Sequence, residues 1–332
     1  MIHSLEIDDI LKISTPQEFE QAAMEVFRFQ SRQCPPYRDY LKAVGIDPDS
    51  VMNAGEIPFL PIEFFKTHRV YCGATEPEVV FTSSSSRNAD GGGGSRHYVA
   101  RVVDYEKTYM RGFELFYGPA GRNADSEWSI YALLPSYLER EGSSLVRMAD
   151  GLICRGHGGG FYLYDHDKLM RDMAADGGGP KILLGVSYAL LDLAERGEKL
   201  PSGTIVMETG GMKGRREEML KEKMHEVLAQ AFGVPEIHSE YGMAEMMSQA
   251  WSAGRGVFRT PPWMKVSVRD LNDPFDVSAS GRGGINITDL ANLSSCAFIQ
   301  TQDIGTAAAD GSFTVDGRIA RADIRGCNLL VQ

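Results

Sequence analysis

Helical periodicity opens the chain. In STPQEFEQAAMEVFRFQ (14–30) apolar side chains return every three or four positions behind a Ser/Thr cap. Pro16 falls in the first turn and Glu18 is spaced to reach back to the cap, so the pattern predicts a helix start here. GEIPFLPIEFFKTHRV (55–70) follows, with two prolines inside a dense apolar patch that reads as core. Past about residue 79 the rhythm changes. EVVFTSS, WSIYALL, KILLGV and GTIVMETGG read as strands, the first running out into a loop. VDYEKTYMRGFELFYG, FYLYDHDKLMRDMAAD, SYALLDLAERG and GRREEMLKEKMHEVLAQAFG read as helices, the last stopped by Gly233. Such alternation predicts a largely parallel sheet with helices on both faces, an α/β fold whose ligands sit beyond the carboxyl ends of the strands. Three polar loops are expected at those ends: after Phe81, after Glu208 and around Tyr241. From about Trp251 short strands and turns take over, in WMKVSVRD, GGINITDL, CAFIQTQDIG and GSFTVDGRIA. The expected organisation is a helical segment over 1–80 packed on the main domain, an α/β core over 81–250, and a β-rich subdomain over 251–332.

Composition narrows the partners. A net charge of −11 with no basic stripe argues against nucleic acid and anionic membrane surfaces. The longest apolar run, near ILLGVSYALL, is too short to span a bilayer. Five cysteines, none in a C-x-x-C pair, fit reduced thiols rather than a disulfide framework or a zinc ribbon. The acidic start, MIHSLEIDDILK, is unlike a signal peptide. These features lead to the expectation of a cytoplasmic protein without membrane insertion.

Several loops carry candidate chemistry. TSSSSRNADGGGGSRHYV (82–99) is rich in hydroxyls, then in glycines. Thr82, Ser83 and Ser84, with free backbone N–H groups, could wrap a phosphate chain, although the G-K-[ST] ending of a P-loop is missing and a flexible linker has the same composition. In METGG the glycines Gly210 and Gly211 allow either a plain strand-to-helix turn or close approach to a flat ligand. HSEYGMAEMMSQAW (238–251) places a ring, Tyr241, beside Gly242 and a carboxylate, Glu245. That is a binding corner for a base and a cation, or a polar loop leading into a helix. Asp303 in QTQDIG could take ribose hydroxyls, and Arg318 in DGRIA could contact phosphate or ribose. Cys327 has Arg321 and Arg325 nearby, and cationic neighbours favour a thiolate. GHGGGFYLYD (156–165) with GVSYA around Ser187 offers a rival: the oxyanion loop and nucleophile elbow of an α/β-hydrolase. The elbow departs at its last position, and only His225 and His238 follow Ser187.

Taken in order, FTSSSS…GGGG, ETGG, EYGMAE, TQDIG and DGRIARADIRG resemble the signatures of the AMP-forming acyl-adenylate superfamily. Ala244 stands where the Y-G-x-T-E signature has its threonine. IPFLPIEFFK, LLPSYLEREGSSLVRMADGLI, YGMAEMMSQAW and RGCNLL are similar to the acyl-protein synthetase branch, the fatty-acid-activating subunit of bacterial luminescence and its relatives.

This resemblance implies a large adenylate-forming domain of the N-terminal type, with doubly wound sheets flanked by helices and a small C-terminal β-rich subdomain. It also implies no mobile C-terminal lysine domain, the sequence ending 14 residues after Arg318. It implies ATP and Mg²⁺, with Thr82, Ser83, Ser84, Gly210, Gly211, Tyr241, Gly242 and Asp303 around the nucleotide and Glu245 on the metal. Catalysis would fall to Glu245, Arg318 and Cys327, the last accepting the acyl group from the adenylate. The acyl group would pass to a reductase, an acyltransferase or CoA. A phenylacetate-type acyl-CoA ligase without a covalent intermediate, and a non-catalytic binding module, are the alternatives.

Overall fold

The computed structural model describes residues 5–83, 94–119, 128–135, 142–177, 179–210 and 219–319. The chain divides into two units, one formed by Met1–Cys72 with Pro262–Gln332 and the other by Gly73–Pro261.

The first unit opens with α1 (Ile7–Ile10) and α2 (Pro16–Gln33). The predicted capping box is present: the Thr15 hydroxyl accepts from the Glu18 N–H at 3.2 Å, and the Glu18 carboxylate accepts from the Thr15 N–H at 3.0 Å. Phe19, Ala23, Val26 and Phe27 are buried on one face of α2, which is why the periodicity was readable. Thr15→Ala removes one half of the box and should lower stability by about 1 kcal/mol in a denaturant melt. α3 (Pro35–Ala43) follows after a break at Cys34, then β1 (Leu60–Pro61) and α4 (Phe64–Thr67). Pro58 thus precedes a two-residue strand that Pro61 closes, and Leu60 and Phe65 are fully buried.

The second unit begins with a small antiparallel pair, β2 (Val79–Thr82) and β3 (Arg96–Val99). The expected strand in EVVFTSS is thus present, but it pairs only with β3 and is not part of the parallel sheet. Its hydrogen bonds go to β3 and, from the Thr82 N–H, to the Gly142 carbonyl at 2.7 Å. Then come α5 (Val102–Tyr117), β4 (Ser129–Leu133), α6 (Ser144–Arg155), β5 (Gly158–Phe161), α7 (His166–Ala175), β6 (Lys181–Val186), α8 (Ser187–Ala194), β7 (Thr204–Thr209), α9 (Lys221–Phe232), β8 (Ile237–Tyr241) and β9 (Ala250–Ser252). Gly233 ends α9 in the left-handed region, as expected of a helix stop.

The large sheet runs β5-β4-β6-β7-β8-β9, parallel except for β9. Strand order reverses between β4 and β6, the kind of switch point beside which α/β ligands bind. Both faces are covered. Glu208 on β7 meets side chains of α8 and α9, while Glu240 on β8 acts on Tyr105 of α5 from the other face.

β5 is an unforeseen strand. A Cβ on Gly159 would lie 1.8 Å from the Ile130 carbonyl oxygen, and its φ is +107°. Glycine is what lets this edge lie against β4, so the glycine run serves sheet pairing.

The first unit resumes with β10 (Met264–Arg269), β11 (Val277–Ser278), β12 (Gly281–Asp289), β13 (Phe298–Ala307) and β14 (Phe313–Arg318). They form one sheet, largely antiparallel, to which β1 adds in parallel against β13. Arg269 is buried at its centre. Its guanidinium donates to the Ile285 and Thr301 carbonyls and to Asn286 Oδ1 at 2.6–2.8 Å. Burial lowers the Arg269 pKa to about 10.

Candidate functional site

In the second unit the predicted residues gather at strand ends. Gly210 follows the last residue of β7, and Tyr241 ends β8, so both stand at the carboxyl edge of the parallel sheet. Thr82 and Ser83 stand at the open end of the β2–β3 pair. The Ser83 hydroxyl accepts from the Ser95 N–H at 3.0 Å, and the Ser83 N–H donates to the Ser95 carbonyl at 3.1 Å. His97, fully buried one residue into β3, ties this pair to the Tyr241 loop: its Nδ1 lies 2.9 Å from the Ala244 carbonyl. Ser84, Gly211 and Cys327 lie outside the described residues, as do most of the Ser/Gly tract and the start of the expected helix at Gly214.

The Tyr241 loop leads into strand β9 and not into a helix. The Tyr241 ring packs 5.7 Å from that of Phe258, and Tyr241 itself is half-buried. A Cβ on Gly242 would meet Glu240 Oε1 at 2.4 Å, so a larger residue there would have to displace the Glu240 carboxylate. Glu245 is buried, with 5% of its surface exposed. Among the described residues no group of three or more His, Cys, Asp or Glu side chains is arranged to hold a metal. A single carboxylate in a loop does not make a resident-ion cage. It does fit a magnesium ion held chiefly by a ligand's phosphates, since Mg²⁺ keeps waters and takes one or two carboxylates.

Beneath these loops lie two carboxyl groups that sequence reasoning missed. Glu240 accepts a hydrogen bond from the Thr209 hydroxyl. Complete burial pushes its pKa up to about 7, nearby Glu208 adds to the rise, and the Thr209 bond and Lys221 oppose it. On the opposite face Glu208 Oε1 accepts from the Ser187 hydroxyl at 2.7 Å, and Oε2 lies 3.2 Å from Lys221 Nζ. His225 Nε2 is 3.9 Å away, an electrostatic neighbour beyond hydrogen-bond length. Burial alone would raise the Glu208 pKa most, but His225, Lys221 and Ser187 together hold it below the usual value. Ser187 Oγ is also 2.9 Å from the Gly210 carbonyl, so this cluster fixes the turn after β7. The Lys221 ammonium sits 4.8 Å over the Phe258 ring, linking the cluster to the aromatic pair. For Glu208 the available signal was an acid inside the largely apolar strand TIVMET; IHSEY is polar throughout its middle and gave none for Glu240.

This geometry removes the basis for the hydrolase reading. Ser187 opens α8, and its hydroxyl is turned to the Glu208 carboxylate, so among the described residues the nucleophile–histidine pair of a hydrolase triad is not formed. The expected oxyanion loop, Gly158–Gly160, belongs to strand β5.

In the first unit Asp303 and Arg318 come from separate sequence motifs but oppose each other across β13 and β14. Arg318 Nε lies 3.3 Å from Asp303 Oδ1, the carboxylate being buried and the guanidinium exposed. The Asp303 N–H donates to Thr301 Oγ1 at 3.0 Å, anchoring the strand at that point.

No protein-family profile matches the sequence, and no curated protein sequence matches it. Solved structures do. A 2-hydroxyisobutyryl-CoA ligase in an open conformation, in complex with 2-HIB-AMP and CoA, superposes with a TM-score of 0.64 at 16% identity, over 94% of this chain and 77% of that one. The fold is that of the N-terminal adenylate-forming domain. ATP-bound MatB from Rhodopseudomonas palustris matches with a TM-score of 0.53 at 17% identity, over 74% of this chain and 49% of MatB. A luciferase-like enzyme from the mealworm Zophobas morio matches at 0.50 and 14% identity, over 74% of this chain and 58% of that one. The chain thus spans about half the length of MatB. Among the described residues no helix is long and apolar enough to cross a membrane.

Proposed function

We propose that this protein is an AMP-forming acid–thiol ligase of the acyl-protein synthetase kind. It activates a carboxylic acid, of fatty type, as the acyl-adenylate and passes the acyl group to Cys327 before a partner reductase, an acyltransferase or CoA takes it. One observation supports the reading above the others: His97 holds the Ala244 carbonyl, so the strand leaving the Ser/Gly tract is fastened to the loop carrying Tyr241 and Glu245. Loops that share one triphosphate must keep a fixed spacing, and this bond supplies it.

In this reading the substrate carboxylate attacks the α-phosphorus of ATP and pyrophosphate leaves. Donors at Thr82, Ser83 and Ser84 stabilise the charge on the transferring phosphoryl group. Tyr241 stacks on the adenine, Gly210 and Gly211 let the backbone approach it, and Gly242 keeps the turn tight. Glu245 would hold magnesium, which when bound offsets phosphate charge. Asp303 takes the ribose hydroxyls, and Arg318 orients its carboxylate and meets the phosphate. The Cys327 thiolate then attacks the acyl carbon, AMP leaves, and a thioester forms.

Acid-dependent exchange of labelled pyrophosphate into ATP tests the first half, and screening acids of graded chain length identifies the substrate. Absence of exchange with every acid would favour a binding module. For the second half, Cys327→Ser should keep exchange while losing a hydroxylamine-labile acyl label. A wild type that exchanges without ever carrying the label would leave the phenylacetate-type ligase reading. Cys296 is a poor substitute carrier, being fully buried with its thiol donating to the Phe298 carbonyl at 3.4 Å.

A further inference from the structure

The Ser187 hydroxyl stands between two acceptors and has one hydrogen to give. β6 and β7 pair in parallel as far as Val186 and Thr209, so the next residues, Ser187 and Gly210, leave the sheet side by side at its carboxyl edge. Ser187 Oγ lies 2.7 Å from Glu208 Oε1 and 2.9 Å from the Gly210 carbonyl oxygen. Ser187 and Glu208 are 1% and 2% exposed, so neither side chain can turn to solvent. A hydroxyl carries a single donor, whereas a carboxylate and a carbonyl only accept. Among the described residues no other donor reaches the Gly210 carbonyl.

The charge on Glu208 decides which acceptor takes that hydrogen. From α9, Lys221 Nζ lies 3.2 Å and His225 Nε2 3.9 Å from Glu208 Oε2, and both favour the ionised acid. Glu240, the other acid in electrostatic reach, stands on the opposite face of the sheet, where burial pushes its pKa up to about 7. A hydrogen bond to an ionised acceptor is roughly twice as strong as one to a neutral acceptor, so the Ser187 hydrogen goes to Glu208. The Gly210 carbonyl then meets an oxygen lone pair at 2.9 Å and not a hydrogen. Gly210 is exposed, and its φ of +70° carries the chain out of β7 at the sheet edge, where a ligand can reach it.

We infer that Glu208 draws the Ser187 hydrogen to itself and so keeps the Gly210 carbonyl open, as an acceptor for a hydrogen-bond donor of the bound nucleotide; this rests on the nucleotide reading of the same edge. Ser187 and Glu208 touch no ligand here. They are positioning residues that act through the Gly210 carbonyl. Removing the charge reverses the allocation. In Glu208→Gln, Lys221 draws the amide oxygen to its own side, which leaves the amide nitrogen facing Ser187. The amide N–H then donates to Ser187 Oγ, and the Ser187 hydrogen passes to the Gly210 carbonyl. The acceptor is filled before the nucleotide arrives.

Acid-dependent pyrophosphate exchange gives the KM for ATP and the maximal rate in wild type, Glu208→Gln, Ser187→Ala and the double variant. Glu208→Gln should raise KM for ATP roughly fivefold, the worth of one ordinary hydrogen bond, with the maximal rate unchanged. Ser187→Ala should stay near wild type. The double variant should return to the wild-type KM, because no hydroxyl is left to fill the carbonyl. A merely structural role for Glu208 predicts the reverse, with the double variant the worst. Deuterium uptake of the unliganded protein gives a second reading: around Gly210 it should be roughly fivefold slower in Glu208→Gln than in wild type, and not in the double variant. Should Glu208→Gln fail to fold, wild type brought below the ordinary carboxylate range replaces it, since protonated Glu208 donates to Ser187 as the amide does. Uptake around Gly210, relative to its chemical rate, should then slow. An unchanged KM in Glu208→Gln, a double variant no better than Glu208→Gln, or faster uptake around Gly210 in either neutralised form would overturn the inference. A wild type without pyrophosphate exchange would instead fail the nucleotide reading, and this inference with it.

Discussion

Glu245→Gln should lower acid-dependent pyrophosphate exchange about 10²–10³-fold, while its circular dichroism and melting midpoint stay close to wild type. The magnitude is that of removing one group that stabilises charge on a reacting centre, roughly 3–4 kcal/mol. Glutamine has nearly the same shape as glutamate, and the residue sits in a turn closed by the Met246 N–H to the Met243 carbonyl, a bond the substitution leaves alone. In the proposed mechanism what is lost is the one negative charge this loop would offer to magnesium. The loss should lie in turnover and in magnesium dependence. Exchange at wild-type rate with wild-type magnesium dependence would remove Glu245 from the mechanism.

Glu240 predicts an unusual pH dependence of stability. Burial raises its carboxyl pKa to about 7 in the folded protein, against 4.5 for an ordinary glutamate. Below the lower value both states are protonated and the group costs nothing. As pH rises toward 7 the unfolded chain ionises while the folded one holds its proton, so stability falls, by roughly 3 kcal/mol across that window. Glu208 has the opposite sign: its pKa is lowered, so its contribution is lost only as pH falls below the ordinary carboxylate range. Glu240→Gln, which mimics the protonated acid, should therefore be nearly neutral at pH 4.5 and more stable than wild type at pH 8. Urea melts of both proteins across this range give the difference directly. Parallel curves would mean that Glu240 is ionised in the folded state.

What the sequence conveyed follows from how local each feature is. Thr15 and Glu18 announce their helix because a capping box is closed within four residues. KILLGV is legible because β6 is buried between neighbours, so past Lys181 the run is apolar. Gly158–Phe161 is not legible as a strand. Glycine disfavours strands, and only the closeness of the β4 backbone, far off in sequence, makes it necessary. α6 went unassigned although Ser143 accepts from the Val146 N–H at its start. The site shows the same division. Tyr241, Gly242 and Glu245 share one short loop and stand out together. The partnership of His97 with Ala244, 147 residues apart, leaves no mark in composition or spacing. Nor does that of Ser187 with Glu208, because each looks ordinary in its own segment.

The pairing of β1 with β13 bears on how the chain is made. Leu60 finds its partner, Ile299, only about 240 residues later. At ribosomal rates of about 5–20 residues per second the interval is roughly 10–50 s. During that time the emerging N-terminal stretch carries Leu60, Phe65 and the apolar face of α2 with no sheet to bury them. The 73–261 unit, by contrast, holds all the strands of its parallel sheet in one continuous run and can fold as soon as it leaves the exit tunnel. Synthesis should therefore pass through a stage in which a finished parallel sheet trails an unfinished hydrophobic N-terminal segment, and a holding chaperone would recognise that segment.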